Sequence, residues 1–338
     1  MTEAPETAEK KPARGCLRRV FGFILQLVAL AVVAGWMTYD AQLNRPGQNA
    51  VPVAVIIPPG AGRVVISARL NSAGISHSPW VYRAEELRRG RSFVPKAGEF
   101  LLPAGVSLAE ALDIIHNGQS IQHSLTIPEG WTSTMVAAAI TADDRLEGML
   151  TPLPAEGEVL PETYFFTRGA DRNQLLARMM EAREISFATL WAERQPGLPF
   201  KTLEEAVVLA SIIEKETGLA SERELVASVF VNRLRKGMKL QSDPTVLYGM
   251  AMAGEGVEKL LRRHLDHNSP WNTYRHKGLP PTPICNPGEA SLRAALNPAE
   301  SPYFYFVADG KGGHAFAETL DEHNRNVRAW RKARTGQQ

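Results

Sequence analysis

The longest apolar run of the chain lies close to its N-terminus. Residues 21–39, FGFILQLVALAVVAGWMTY, carry no charge. As a helix they span about 28 Å, which nearly matches the hydrocarbon core of a bilayer. A cleaved signal peptide and a buried core helix are the alternatives, but a signal peptide has a shorter apolar region and a small-residue cleavage site, which is not evident after Trp36. We therefore predict a transmembrane helix over residues 20–39.

Charge is distributed unequally about this predicted helix. Five basic residues precede it and two amphipathic aromatic residues end it, namely Lys10, Lys11, Arg14, Arg18 and Arg19, then Trp36 and Tyr39. The positive-inside rule places the N-terminus in the cytoplasm and exports everything after about residue 40. We expect residues 1–19, rich in Glu, Lys, Pro and Thr, to form a disordered cytoplasmic tail. Residues 40–50 have the polar, Pro- and Gly-containing pattern of a linker.

Short alternating patterns follow over residues 51–123. They predict, in order, a strand, two helices, an extended segment and a third helix, at residues 51–57, 63–73, 80–89, 98–102 and 107–116. Ser107 and Glu110 have the spacing of a capping box at the start of that third helix. In size and order these elements resemble a LysM-like carbohydrate-binding module. A structural spacer would show the same pattern.

Residues 124–335 form a larger mixed segment. We predict a strand over residues 124–127, a helix from Trp131 to about Ile140, an aromatic turn or strand over residues 160–166 and an amphipathic helix over residues 171–195. The fold class is therefore α+β, in which a transmembrane helix and a small module precede a larger mixed α/β domain. The predicted boundaries are a tail at 1–19, a membrane helix at 20–39, a linker at 40–50, a module at 51–123 and a catalytic domain at 124–335.

A buried helical hairpin is predicted within that larger domain. Residues 206–213, AVVLASII, are apolar on nearly every side, which is typical of a buried helix. Capping boxes are predicted to open both helices, at Thr202 with Glu205 and at Ser221 with Glu224. Glycines are predicted to adopt the left-handed conformation after each helix, at Gly218 and Gly237.

Glu216 continues the apolar stripe of the first hairpin helix. It follows Leu209, Ile212 and Ile213 at the i, i+3, i+4, i+7 spacing. Apolar surroundings resist ionisation, so the pKa of this carboxyl should rise, as a general acid near neutral pH requires. The negative end of the helix dipole acts in the same direction. The alternative is a solvated helix end in which Lys215 pairs with Glu222.

Composition excludes several classes of protein. A net charge of +2 argues against a nucleic-acid binder. The two cysteines, Cys16 and Cys285, cannot form a disulfide-rich scaffold or a cysteine-based zinc finger. We expect no metal or cofactor, because four of the histidines lack ligand-like spacing, namely His264, His267, His276 and His323. The aromatic run before residues 309–313, DGKGG, predicts a strand and a hairpin turn rather than a phosphate loop.

Residues 209–249, LASIIEKETGLASERELVASVFVNRLRKGMKLQSDPTVLYG, resemble the signature of the endolytic murein transglycosylase (MltG, YceG-like) family. Further similar segments occur in the family's order, namely LPETY at 160–164, WNTY at 271–274, GLPPTPI at 278–284, NPG at 286–288 and YFYFVADGKGGHAF at 303–316. The resemblance covers nearly all of residues 50–330 as well as the N-terminal anchor.

The resemblance implies a peptidoglycan lytic transglycosylase. Such enzymes cut glycan strands internally at the β-1,4 bond between N-acetylmuramic acid and N-acetylglucosamine, without water, and leave a 1,6-anhydro end. The family's catalytic glutamate matches Glu216. The implied partners are peptidoglycan strands, peptidoglycan synthases and the inner membrane, with the catalytic domain in the periplasm.

Several polar residues near the signature are candidates for sugar contacts: Gln241, Asp243, Thr245, Asn272, Tyr274 and His314. Two alternatives to the transglycosylase remain open. A lysozyme-like hydrolase would use Asp243 as a second carboxylate, although an Asp-Pro turn that caps the next helix gives the same sequence. A membrane-tethered scaffold would bind the wall without any activity of its own.

Overall fold

The computed structural model describes residues 14–75, 78–257 and 260–335. It has a mixed α and β composition and divides into two compact units between Ile121 and Gln122, two residues before the predicted boundary. Its strands, within the described ranges, pair into four two-stranded sheets. Residues 1–13, most of the predicted tail, lie outside the described residues.

The N-terminal helix α1 (Arg14–Leu43) is longer than the predicted membrane span. It begins inside the predicted tail and continues into the predicted linker, because Pro12 and Pro46 are the nearest prolines on either side. Within its segment Arg18–Leu43, the most apolar stretch of 18 residues has a mean hydropathy of 2.2, and no part of that stretch is buried. By length and composition this helix can cross a membrane.

The first unit continues with five elements: β1 (Val53–Ile57), α2 (Arg63–Ser72), α3 (Pro79–Arg89), β2 (Gly98–Leu102) and α4 (Leu108–Asn117). β1 and β2 pair in antiparallel fashion, with Val55 opposite Phe100. The predicted capping box of Ser107 and Glu110 is confirmed at the start of α4. The predicted order of strands and helices is therefore present.

The last turn of α1 packs into this first unit. Leu43 is only 6% exposed and belongs to the same apolar cluster as Phe100 and Leu112. The hydroxyl of Tyr39 donates to the buried carboxylate of Glu85. Burial alone would raise the pKa of Glu85, but hydrogen bonds from Arg88, Tyr39 and Arg89 outweigh it and lower that pKa to about 2. The predicted linker therefore starts as a helix that is fixed to the module.

The second unit contains thirteen further helices and strands within the described ranges. Its first half has β3 (His123–Thr126), α5 (Ser133–Ala142), β4 (Leu146–Glu147), β5 (Thr163–Phe166), β6 (Ala170–Asp171) and α6 (Arg172–Ala192). Its second half has α7 (Leu203–Glu216), α8 (Arg223–Arg235), α9 (Asp243–Met252), α10 (Glu289–Leu296), β7 (Tyr305–Ala308), β8 (His314–Ala317) and α11 (Leu320–Thr335).

Helix α7 lies at the centre of the second unit, where α6, α8 and α10 pack against it. Every residue of its apolar run 206–213 is buried, as the sequence predicts. The capping box of Thr202 and Glu205 is confirmed. The apolar side chains packed around α7 fix the orientation of the helix, and therefore the position of its C-terminal end.

Two predictions about the junction after α7 are wrong. Gly218 does not adopt a left-handed conformation, because the helix ends one residue earlier on the extended backbone of Thr217 (φ −141°). Ser221 does not cap α8, because residues 220–222 form a 3₁₀ turn and α8 begins at Arg223. Gly237, after α8, does have the predicted positive φ, at 63°.

Candidate active site

Glu216 is the last residue of α7 and is partly buried. One turn earlier Ile212 and Ile213 are fully buried, so the carboxyl emerges directly from the core. Burial raises its pKa, the hydroxyl of Ser242 lowers it and the nearby charge of Asp243 raises it again, so that the pKa of Glu216 is about 7 instead of 4.5. Glu216 can therefore carry a proton near neutral pH, as the sequence predicts.

Ser242 is the direct hydrogen-bond partner of Glu216. Its Oγ lies 2.5 Å from Oε1 of Glu216 and donates to it. Its backbone N–H donates to Oγ1 of Thr273 over 2.9 Å, and its carbonyl accepts from Oγ1 of Thr245 over 2.7 Å. Ser242 is 1% exposed, so water does not compete for its hydroxyl. The loop before α9 therefore holds a hydroxyl against the carboxyl of Glu216.

The backbone of this loop is strained at Gln241. It has φ of 52°, and no other non-glycine residue among those the structure describes has a positive φ. A side chain in the left-handed region costs about 1 kcal/mol or more, and such strain clusters at functional sites. The backbone N–H of Gln241 donates to the carbonyl of Thr273, while its side chain is exposed next to Ser242.

Asp243 and Tyr274 form a second pair beside Glu216. The hydroxyl of Tyr274 donates to Oδ1 of Asp243 over 2.6 Å. Burial, and after it the hydrogen bond to Asp243, raises the pKa of Tyr274. Asp243 itself is exposed and is the first residue of α9, whose N-cap is Ser242. The pair offers a carboxylate and a phenol to a substrate next to Glu216.

Two predicted sugar contacts, Thr245 and Asn272, are buried instead, with 0% exposure. Thr245 bonds to Ser242 and Thr273. The amide group of Asn272 donates to two carbonyls of its own loop, and its oxygen accepts from the N–H of Tyr274. Neither side chain reaches the surface, so they shape the site and are not placed to contact a substrate.

His314 belongs to the predicted hairpin, which the structure confirms as β7 paired with β8. Its Nδ1 lies 2.6 Å from Oε2 of Glu222, and its backbone N–H donates to Oε1 of the same carboxylate. Its ring meets Phe306 edge-on, with the centroids 5.4 Å apart. His314 is close enough to Glu216 for its positive form to lower the pKa of that carboxyl.

Sequence reasoning missed Arg233 as well as Ser242. Arg233 is 7% exposed on α8, and its guanidinium donates to the backbone carbonyls of Phe304 and Leu240. Its charge lowers the pKa of Glu216, opposing the effect of burial. The sequence did hold a signal, because Arg233 continues the buried stripe of Val226, Val229 and Phe230 as Glu216 continues that of α7.

The same arrangement offers little to a metal ion. No group of three or more His, Cys, Asp or Glu side chains among the described residues is placed to hold one. Cys285, one of the two cysteines, is buried, and its thiol contacts the carbonyl of Ser211.

Comparison with known proteins adds an independent observation. Residues 55–329 match the YceG-like family, which covers the whole site from Glu216 to His314. The chain belongs to the YceG-like family. A relative in Bacillus subtilis, named endolytic murein transglycosylase, is 28% identical over 327 residues, 87% of this chain and 89% of the relative. One of that name in Streptococcus pneumoniae is 26% identical over 353 residues, 90% of this chain and 63% of the relative.

A solved structure supports the same grouping. The crystal structure of a yceG-like protein from Listeria monocytogenes superposes with a TM-score of 0.53 and 29% sequence identity. The alignment covers 81% of this chain and 98% of that one. The YceG-like fold therefore extends over most of the chain that carries the site.

Proposed function

We propose that this chain is a membrane-anchored endolytic transglycosylase of peptidoglycan, a lyase that cuts the bond between N-acetylmuramic acid and N-acetylglucosamine without water. The observation that carries the proposal is the pKa of the Glu216 carboxyl, which burial raises to about 7. The relatives named endolytic murein transglycosylase support the choice of substrate. The product carries a 1,6-anhydro end.

Glu216 acts first as an acid. Its neutral form donates a proton to the oxygen that links the two sugars, and the bond from that oxygen to C1 breaks. A carboxyl with a pKa near 7 suits this step, because it holds its proton near neutral pH and still releases it readily. We infer that the exposed side chains of Gln241 and Asp243 and the phenol of Tyr274 contact the sugars on either side.

Glu216 then acts as a base. The resulting carboxylate takes the proton of the C6 hydroxyl, whose oxygen closes onto C1 of the same sugar. Most glycosidases need a second carboxylate to supply a nucleophile or to activate water. A hydroxyl within the same ring has a high effective concentration and makes that second group unnecessary. This agrees with the hydroxyl of Ser242, and not another carboxylate, as the direct partner of Glu216.

Helix α1 supplies the location. We infer that it anchors the chain in the inner membrane with the N-terminus in the cytoplasm, because the basic residues precede it. The catalytic unit then works in the periplasm on newly made strands, close to the peptidoglycan synthases. The first unit, with two helices between two paired strands, is proposed as a LysM-like module for the glycan.

The decisive experiment is Glu216→Gln, which keeps the shape of the side chain but removes the acid. We expect anhydro-ended fragments from isolated sacculi to fall by about 10²-fold or more, because both proton transfers depend on this group. Glu214→Gln is the matched control, since Glu214 lies two residues away and accepts from the N–H of Gly288. An undiminished yield from Glu216→Gln contradicts the proposal, and no soluble product from the unaltered protein favours a wall-binding scaffold.

Asp243 supports a second candidate, a muramidase that uses water. It is exposed, and its charge acts on Glu216, which are the properties of a second carboxylate. Mass spectrometry of the fragments separates the two reactions, because hydrolysis adds one water and leaves a reducing end. Asp243→Asn should abolish a hydrolase, whereas a transglycosylase should retain most of its kcat.

A further inference from the structure

The geometry points to Ser242 as a positioning residue that reserves one oxygen of Glu216, Oε2, for both proton transfers. This inference rests on the proposed function and deepens it. It starts from the hydrogen bond of 2.5 Å between Oγ of Ser242 and Oε1 of Glu216. A carboxyl has two oxygens that are equivalent in solution, and this bond makes them different.

Ser242 can donate to Oε1 in both protonation states of Glu216. In the acid, Oε1 is the carbonyl oxygen and accepts from the hydroxyl, while the proton resides on Oε2. In the carboxylate, Oε1 accepts the same bond more strongly because the acceptor is charged. The proton that moves is therefore always found on the oxygen that Ser242 does not touch.

The hydroxyl of Ser242 is held in place by its own neighbours. Its backbone N–H is bound by Thr273, its carbonyl is bound by Thr245, and the hydroxyls of these two threonines lie 2.9 Å apart. The left-handed backbone of Gln241 sets the direction in which the chain enters this group of hydrogen bonds. These backbone bonds fix the position of residue 242, and with it the point from which its hydroxyl reaches Glu216.

The two steps balance with Oε2 alone. Its proton passes to the glycosidic oxygen, which also receives the electron pair of the breaking C1–O bond. The oxygen of the C6 hydroxyl forms the new bond to C1, and its proton passes to Oε2. The hydroxyl of Ser242 keeps its proton throughout, and Glu216 returns to its starting state.

Ser242 also favours the charged form of Glu216, so its removal should raise the pKa of that carboxyl. Other charged or titratable groups face Glu216 from α8, α9, the loop after it and β8, namely Arg233, Asp243, Tyr274 and His314 with its partner Glu222. All of them remain in a Ser242 variant. A shift in the pH profile is therefore attributable to the lost hydrogen bond.

The experiment compares Ser242→Ala with Ser242→Thr in the full-length protein. We expect Ser242→Ala to shift the high-pH limb of the pH profile of kcat/KM to higher pH, by about one pH unit. We also expect it to lower kcat about tenfold, with little change in KM. Ser242→Thr keeps a hydroxyl and should restore both values. An unmoved limb in Ser242→Ala, or a loss that Ser242→Thr does not restore, overturns the inference.

Two further measurements keep this test separate from that of the proposed function. Titration of the Glu216 carboxyl by NMR with ¹³C-labelled glutamate measures its pKa without any substrate, with Glu216→Gln to assign the signal. If Glu216→Gln is inert but Ser242→Ala leaves the pKa unchanged, only the inference fails. If Ser242→Ala does not fold, Ser242→Cys decides, because its weaker donor should give an intermediate shift and an unmoved pKa overturns the inference.

Discussion

At the scale of single residues, opposing effects determine the pKa of Glu216. Burial and the charge of Asp243 raise its pKa, while Ser242, His314 and Arg233 lower it. Burial alone would raise the pKa further and make Glu216 too weak an acid for the first step. The hydroxyl of Ser242, together with His314 and Arg233, restores its ability to give up the proton.

The first residue-scale prediction concerns the pH dependence of activity. With the pKa of Glu216 at about 7, kcat/KM should be high below pH 7 and should fall tenfold per unit well above it, because the acid form is lost. Initial rates of soluble product release from sacculi between pH 5 and pH 9 check this. A rate that rises steadily to pH 9 would show that the neutral form of Glu216 is not required.

The second residue-scale prediction concerns stability. The folded protein holds the Glu216 proton up to about pH 7, whereas in the unfolded chain it is lost near 4.5. Stability is therefore lost as pH rises from 4.5 through 7, by roughly 3 kcal/mol at about 1.4 kcal/mol per pKa unit. Glu216→Gln should recover most of this lost free energy of unfolding at pH 8 and almost none at pH 4. Thermal unfolding at the two pH values measures the difference. Equal effects at both would contradict it.

At the scale of elements, α7 and α8 each place one charged residue at the end of an otherwise buried stripe. Glu216 ends the stripe of α7 and Arg233 ends that of α8. Both helices belong to one apolar cluster with α10, so neither end can move without disturbing the core. Helix packing therefore fixes the positions of Glu216 and Arg233. The loop that carries Ser242 contacts Glu216 at that fixed position.

An element-scale prediction follows from the two glycines after these helices. Gly237 has φ of 63°, whereas Gly218 has no positive φ, and neither has an atom within 4 Å of where a Cβ would lie. Gly237→Ala should therefore lower the free energy of unfolding by about 1 kcal/mol through backbone strain. Gly218→Ala is the matched control and should be neutral or slightly stabilising. Thermal unfolding of both variants measures the difference, and equal effects would contradict it.

Periodicity predicted most of the helices and the placement of Glu216, because both follow from the burial of a regular stripe. It could not predict Ser242, whose role arises from the left-handed turn at Gln241 and from Thr273, which is distant in sequence. Thr245 and Asn272 were candidates for sugar contacts, because polar side chains satisfied within a loop look the same in sequence as those free to bind. Contacts between remote loops have no local pattern.

At the scale of the whole molecule, the chain divides into two compact units, the first of which includes an apolar helix that is long enough to cross a membrane. A net charge of +2 gives the chain no strong attraction to anionic polymers as a whole. Recognition of a substrate must then come from local groups such as those around Glu216.

The whole-molecule prediction concerns orientation. If the N-terminus is cytoplasmic, a protease added to intact spheroplasts should digest nearly all of the chain and leave a short protected fragment containing α1. An epitope at the C-terminus should disappear and one at the N-terminus should persist, as immunoblotting can follow. Lysed spheroplasts are the control, in which both epitopes should be lost. Survival of the C-terminal epitope in intact spheroplasts would reverse the assigned orientation.

The attachment of Leu43 and Tyr39 to the first unit has a mechanical consequence. A flexible linker would let this unit change its orientation relative to α1, but the packed end of the helix fixes that orientation. When lipid thickness or a neighbouring protein tilts α1, the unit must tilt with it. If α1 spans the bilayer as proposed, a change in its tilt would therefore turn the first unit as well, without any ligand binding.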